Sequence, residues 1–294
     1  MPASSDAERE DGEVRSAAGG LSLRRLRIVS LNAWGGREWA ALEPWLKRLD
    51  ADVFCAQEVI RAPDPQPEWL CYEDPNRRLA QRSDLFGEIC RCLPRHQARF
   101  AAAARGPLTG DDGRSYVSEH GLGLWVRDDL AVSGSFDGFV FGRFRHDGWG
   151  AEPVPRALQI VRLASPDTGK TLVGANLHGI RQPGGKLDTP DRKVQCANLI
   201  NGLKGFREPG EPLVVAGDFN LLPDSATFQA LEAMGLANLV VQNGITDTRT
   251  SLYKKAERYA DYVLASQEVE VLAFDAPAEP EVSDHRPLVL DIGI

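Results

Sequence analysis

Polar residues stand at the ends of six apolar runs, where a plain core strand would carry Val, Ile or Leu. Asn32 closes RIVSLN, Glu58 closes ADVFCAQE, and Asn176 and His178 close TLVGANLH. Asp218 and Asn220 follow LVVAG, Asp261 opens DYVLA, and Asp284 with His285 precedes RPLVLDI. Ligands gather at strand ends in α/β sheets, so these residues are expected to converge on one pocket. Each has a bland explanation taken alone: a solvated carboxylate at a strand end, an asparagine closing a turn, a histidine satisfied by hydrogen bonds. Asp218 and Asn220 resist it. Side chains two apart in an extended segment share a face, so both would address one ligand while Phe219 turns into the core.

The residue types supply hard oxygen donors and acid–base groups, of which phosphoester hydrolysis is one possible use. Glu58, Asn32 and Asp284 offer hard oxygen donors without a thiolate, a set that fits Mg²⁺ or Mn²⁺ rather than zinc. Such a reaction needs an in-line water, neutralisation of charge on the phosphoryl oxygens and help for the departing alkoxide; a bound cation serves the last two needs. Asp218 is typed to orient and deprotonate the water, and Asn220 to hold that carboxylate or a phosphate oxygen. His285 with Asp261 would form a carboxylate-oriented imidazole. Asn176 and His178 are candidate phosphate binders, with His178 alternatively a proton donor to the leaving group. Arg181 is either a phosphate clamp or a solvated surface arginine.

These residues need strands to position them. Short runs rich in Val, Ile and Leu predict strands over 26–31, 52–56, 121–126, 158–163, 171–176, 213–216, 259–265, 269–274 and 287–291. Helices are predicted over 38–49, 77–92, 191–205 and 225–234. In the third helix Val194, Ala197, Leu199, Ile200 and Leu203 recur at helical spacing, so Arg192, Lys193 and Gln195 are expected to face water. Residues 61–76, 105–118 and 138–155 read as long loops in which substrate preference would be written. The last contains FVFGRFRHDGWG, in which Phe139, Phe141, Phe144 and Trp149 alternate with Arg143 and Arg145. That mix can stack on bases and contact phosphates, but an edge hairpin with its aromatics in the core is the favoured reading.

The segments LNAWGG, AQEV, NLHG, GDFN, DYVLA and SDHRP occur in the order and approximate spacing of the endonuclease/exonuclease/phosphatase superfamily, which the chain resembles over residues 26–292. The resemblance implies a four-layer α/β sandwich, two packed mixed β-sheets flanked by helices, with one active site at the top edge of the sheets. It implies Glu58 as the principal metal ligand, Mg²⁺ or Mn²⁺ as cofactor, and either the His285/Asp261 pair or Asp218 as base. The chain departs from abasic-site endonucleases, whose N-G-x-R motif is replaced by Asn32-Ala33-Trp34-Gly35-Gly36, and TRTSLYKKAERYADY lacks their tryptophans. LNAWG is similar to the sphingomyelinase-like branch, without a hydrophobic docking hairpin. A phosphodiesterase or phosphomonoesterase is expected, with a DNA or RNA nuclease as the alternative and a non-catalytic binding module as a minor one.

Composition narrows the partners. The 294 residues carry 34 Lys and Arg against 42 Asp and Glu, a net charge of −8, so no chain-wide positive field recruits nucleic acid or anionic membrane. The five cysteines are scattered and show no zinc-knuckle spacing, which predicts reduced thiols. Residues 1–22 are small, polar and charged and are expected to form a disordered tail ahead of one domain over 23–294. With no membrane span or secretory signal in the sequence, a cytoplasmic monomer acting on a phosphoester substrate is expected.

Overall fold

The computed structural model describes residues 14–15, 22–74, 77–150 and 153–294. Most of the expected tail lies outside the described residues; within it β1 (Val14–Arg15) pairs antiparallel with β2 (Ser22–Leu23). An eight-stranded sheet is built from β3 (Arg25–Asn32), β4 (Val53–Arg61), β5 (Trp69–Asp74), β6 (Arg77–Arg82), β7 (His96–Thr109), β8 (Ser115–Arg127), β15 (Glu270–Asp275) and β16 (Leu288–Gly293). A six-stranded sheet contains β9 (Ala131–Phe141), β10 (Arg156–Ala164), β11 (Thr171–His178), β12 (Leu213–Asp218), β13 (Leu236–Asn238) and β14 (Asp261–Ser266). Their spatial orders are β15-β16-β3-β4-β8-β7-β5-β6 and β13-β14-β12-β11-β10-β9. Both sheets are mixed: β3 runs parallel to β4 and β11 to β12, while the other pairs are antiparallel.

The apolar runs without polar alternation follow from burial on both faces. Ile28, Val53, Cys55 and Leu124 face the six-stranded sheet and join Leu158, Ile160 and Val214 in the core between the sheets. Their neighbours Val29, Leu31, Phe54 and Trp125 point the other way, under α1 (Trp39–Leu46) and α2 (Leu85–Cys92). Trp125 is fully buried there, with the Phe54 and Phe86 rings at 5.5 and 5.3 Å. On the opposite side α3 (Pro190–Phe206) and α4 (Ala226–Glu232) cover the six-stranded sheet, and the short α5 (Leu239–Gln242) packs on β14. This is the four-layer sandwich expected from the resemblance. No described helix is long and apolar enough to cross a membrane.

Several local expectations are corrected. The helix expected over 77–92 begins only at Leu85, because Arg77–Arg82 forms the edge strand β6 against β5. Its charges hid the pattern: Arg78 pairs with Glu73, and Arg82 is buried against Glu88 with its guanidinium over Trp69 and Trp39. Much of the supposed loop at 105–118 belongs to the long β7–β8 hairpin, and β9 extends to Phe141. Phe139 packs against Ala101, Ala103, Leu122 and Ala157, as the core reading requires, whereas Phe144 is exposed.

The expected faces of α3 hold for Lys193, which is exposed, and for Leu199 and Leu203, which are buried, but not throughout. Arg192 and Gln195 are buried, while Val194 is about half exposed. Arg192 donates to the carbonyls of Leu187, Gly185 and Asn220, and Gln195 accepts from the Ile180 amide. The helix therefore holds two loops by their backbones, which hydrophobic spacing does not reveal.

Candidate active site

Glu58 leaves the regular ladder at an irregularity between Ala56 and Val59 and adopts φ +53°, which re-aims its carboxylate from the strand toward the open end of the sheets. Asp218 ends β12 directly beside His178 of β11 and Asp261 of β14. Gly217 precedes it because a Cβ there would lie 2.1 Å from the Leu177 carbonyl oxygen. Asp284 and His285 arrive on the turn before β16.

These groups converge. His178 Nε2 lies 3.8 Å from Glu58 and 3.7 Å from Asp218, and His285 Nε2 lies 3.8 Å from Asp218. Asn32 donates to Asp218 at 3.0 Å, while its Oδ1 accepts from the Trp34 amide at 3.0 Å. Asp218, Asp261 and His285 each place one ligand-type atom within 4.8 Å of the others. The Oδ1 of Asp284 is buried without a hydrogen-bond partner, whereas Oδ2 accepts from Arg249 at 3.0 Å.

Two expected placements change. The strand stops at Asp218, so Asn220 does not continue an extended segment; it takes φ +53°, its amide N–H donates to Asp218 Oδ1 and its side chain to the Gly179 carbonyl. Phe219 does turn into the core. Asn176 is committed elsewhere: it donates to the carbonyls of Ala56 and Gly123 and to Gln159, and accepts from Gln57. It pins the six-stranded sheet to the other one. Arg181 is exposed and lines a cleft beside Glu58.

Four basic side chains without a recognisable motif complete the arrangement. Arg156 donates to His178 Nδ1 at 3.1 Å, which leaves the imidazole proton on Nε2, aimed at Glu58 and Asp218. Arg249 donates to His285 Nε2, and His285 Nδ1 donates to Asp261 at 2.8 Å. Lys186 donates to the Tyr259 carbonyl. His120 lines the cleft next to Glu58, its ring 6.4 Å from that of His178. The one available signal was that three of the chain's five histidines, His120, His178 and His285, lie on or beside predicted strands.

Burial and the arginines keep the imidazoles neutral. His285 and His120 are both lowered to about 4, by burial first and then by Arg249 and Arg156 respectively, and His178 is lowered well below its ordinary value by burial first and then by Arg156. Burial would raise Glu58, but His120 and His285, as they take up protons in acid, together with Arg156 and a hydrogen bond from Asn32 hold it below the usual value. Asp218 is raised by burial and by Asp261, and Asp284 by burial. Neighbouring carboxylates thus differ in proton affinity, as acid and base work requires.

The endonuclease/exonuclease/phosphatase family model matches residues 29–285. The chain belongs to this family. Solved structures of the endonuclease/exonuclease/phosphatase fold resemble it along almost their whole lengths. A mannosyl-6-phosphatase from Bacteroides thetaiotaomicron has 17% identity and a TM-score of 0.64, covering 91% of this chain and 99% of its own. The human Nocturnin catalytic domain with bound sulfate has 17% identity and a TM-score of 0.58, covering 91% and 93%. ANGEL2, a 2′,3′-cyclic phosphatase solved with adenosine-2′,3′-vanadate, has 15% identity and a TM-score of 0.63, covering 94% and 99%. No curated protein matches the chain.

Proposed function

We propose that this chain is a divalent-metal-dependent phosphoesterase. The observation that carries the reading is the meeting of Glu58, Asp218 and the His285–Asp261 pair, with His178 between the first two. Glu58 and Asp284 would hold Mg²⁺ or Mn²⁺, because their carboxylates are hard donors and Asp284 keeps a buried oxygen with no hydrogen-bond partner, 3.6 Å from His285 Nε2. When bound, such a cation neutralises charge on the phosphoryl oxygens and the departing alkoxide. Asn32 presents its amide N–H₂ to the carboxylates and acts as their positioning residue.

His178 is a neutral donor through Nε2, which suits a phosphoryl oxygen better than proton delivery to an alkoxide. The proton of the attacking water goes to Asp218 or to His285. Arg249 engages the His285 Nε2 lone pair, and burial makes Asp218 more basic, so Asp218 is the favoured acceptor in the resting arrangement. A net charge of −8 argues against a polynucleotide as the preferred substrate.

The test uses bis(p-nitrophenyl) phosphate and p-nitrophenyl phosphate with Mg²⁺ or Mn²⁺. Hydrolysis that stops in EDTA and is lost in Glu58→Ala upholds the proposal. Turnover that survives either treatment, or no turnover of either ester by the wild type, overturns it.

A further inference from the structure

Beside Glu58 an open cleft of about 800 Å³, its mouth included, leads away from the catalytic cluster. Its floor at the phosphate end is Glu58, His120 and Arg156, and its walls are Ile60, Tyr72, Leu79, Leu108, Trp149 and Pro155. Gln81, Arg181 and the Tyr72 hydroxyl are the side-chain polar groups beyond that end.

Trp149 is built into position. The loop that carries it is tied to β7 as Arg145 and Gly148 donate to the carbonyls of Ala103 and Arg105, and Arg105 donates back to Arg145. Its indole Nε1 donates to the Pro107 carbonyl at 2.8 Å. Gly106 makes room, since a Cβ there would lie 2.9 Å from the indole Cε2. The rings of Tyr72 and His120 meet the indole edge to face at 6.4 and 6.5 Å. An aromatic wall held this way loses little freedom when a ligand packs on it.

We propose that this cleft receives the alcohol portion of the substrate and that this portion carries an aromatic or heteroaromatic ring, packed against Trp149 while the phosphate faces Glu58 and His178. The inference rests on the phosphoesterase reading and gives it a substrate class. A polyhydroxylated sugar fits less well, because beyond the phosphate end only Tyr72, Gln81 and Arg181 among the described lining residues carry side-chain polar groups to replace the water stripped from its hydroxyls. A flat ring asks for apolar and aromatic contact, which is what the walls supply.

Adenosine 5′-monophosphate and ribose 5-phosphate break the same kind of primary 5′ ester bond on a ribose and differ by the base, so they isolate its contribution. In the wild type kcat/KM is expected to favour the adenosine ester by about tenfold or more, as one base stacked on one aromatic side chain is worth. That ratio is expected to fall toward one in Trp149→Ala and to be largely restored in Trp149→Phe. Equal kcat/KM for the two wild-type reactions, or a preference that survives in Trp149→Ala, overturns the cleft assignment and leaves the hydrolase reading standing. If neither ester is hydrolysed, calorimetric titration in EDTA decides. Tighter binding of the adenosine ester, lost in Trp149→Ala, upholds the assignment; equal or undetectable binding overturns it. Failure of the proposed function is read separately, from the p-nitrophenyl esters.

Discussion

His285 Nδ1 lies 2.8 Å from both carboxylate oxygens of Asp261, while its Nε2 faces the Arg249 guanidinium. A guanidinium only donates, so Nε2 is the acceptor and the ring proton sits on Nδ1. Thr248 Oγ1 donates to the second Asp261 oxygen at 3.1 Å and completes its fixation. Asp261→Asn removes the charge that selects this tautomer. It is expected to lower kcat by about a hundredfold to ten-thousandfold without lowering the melting temperature. Steady-state kinetics beside a thermal melt check this; a loss below tenfold would take the pair out of the chemistry.

Arg249 is buried, and its charge balances Asp284, Asp218 and Asp261. Arg249→Met leaves Asp284 as an uncompensated buried carboxylate, which typically costs about 3–5 kcal/mol. Urea unfolding at pH 7 measures it. Arg249→Lys keeps the charge but loses the fork and is expected to fall between the two. A change within about 1 kcal/mol for the Met variant would mean that the carboxylates are not held by this residue.

Glu58→Gln keeps the shape and the contact with Asn32 but removes a charge. The Mg²⁺ concentration for half-maximal activity is expected to rise by about tenfold to a hundredfold, the size of loss seen even for groups that only support a ligand. Metal titration of activity reads this directly. An unchanged midpoint with reduced turnover would assign Glu58 to another role.

His120 lines the cleft and is half-buried, and desolvation by its surroundings lowers the pKa for its proton to about 4 in the folded chain. An unfolded chain takes up that proton near pH 6.5, so between these values the unfolded state binds more protons and stability falls as pH falls. Between pH 7 and pH 5 the wild type is expected to lose up to about 2 kcal/mol more than His120→Gln, the upper bound for a fully desolvated imidazole. Denaturant curves in EDTA at the two pH values give the difference. An equal loss in both proteins would show that this imidazole is solvated.

The convergence of the site was legible because its residues interrupt apolar strands, and strand ends of one sheet edge are neighbours in space. Asp261 and His285, and Glu58 and Asp218, were found that way. Arg156, Arg249 and Lys186 were not, since a basic residue in a loop or at a strand end carries no mark of burial in one sequence, and His120 was marked only by its place beside a predicted strand. The β5–β6 hairpin was hidden for a related reason: the edge strand Arg77–Arg82 presents charged side chains where a period-two apolar pattern would announce it. The buried face of α3 shows the limit of hydrophobic spacing, because Arg192 and Gln195 are enclosed by backbone carbonyls and amides rather than by apolar neighbours.

Glu58, Asp284 and His285 ride on or beside one sheet, and Asp218, His178 and Asp261 on the other, so no single layer contains the proposed catalytic set. The Asn176 amide, bonded across the interface to Ala56, Gly123 and Gln57, acts as a dowel between two independently hydrogen-bonded slabs. A slip of one slab by a single residue would leave nearly all backbone pairing intact and separate water from phosphorus. Turnover is therefore a finer gauge of how these slabs are seated than any spectroscopic count of their strands.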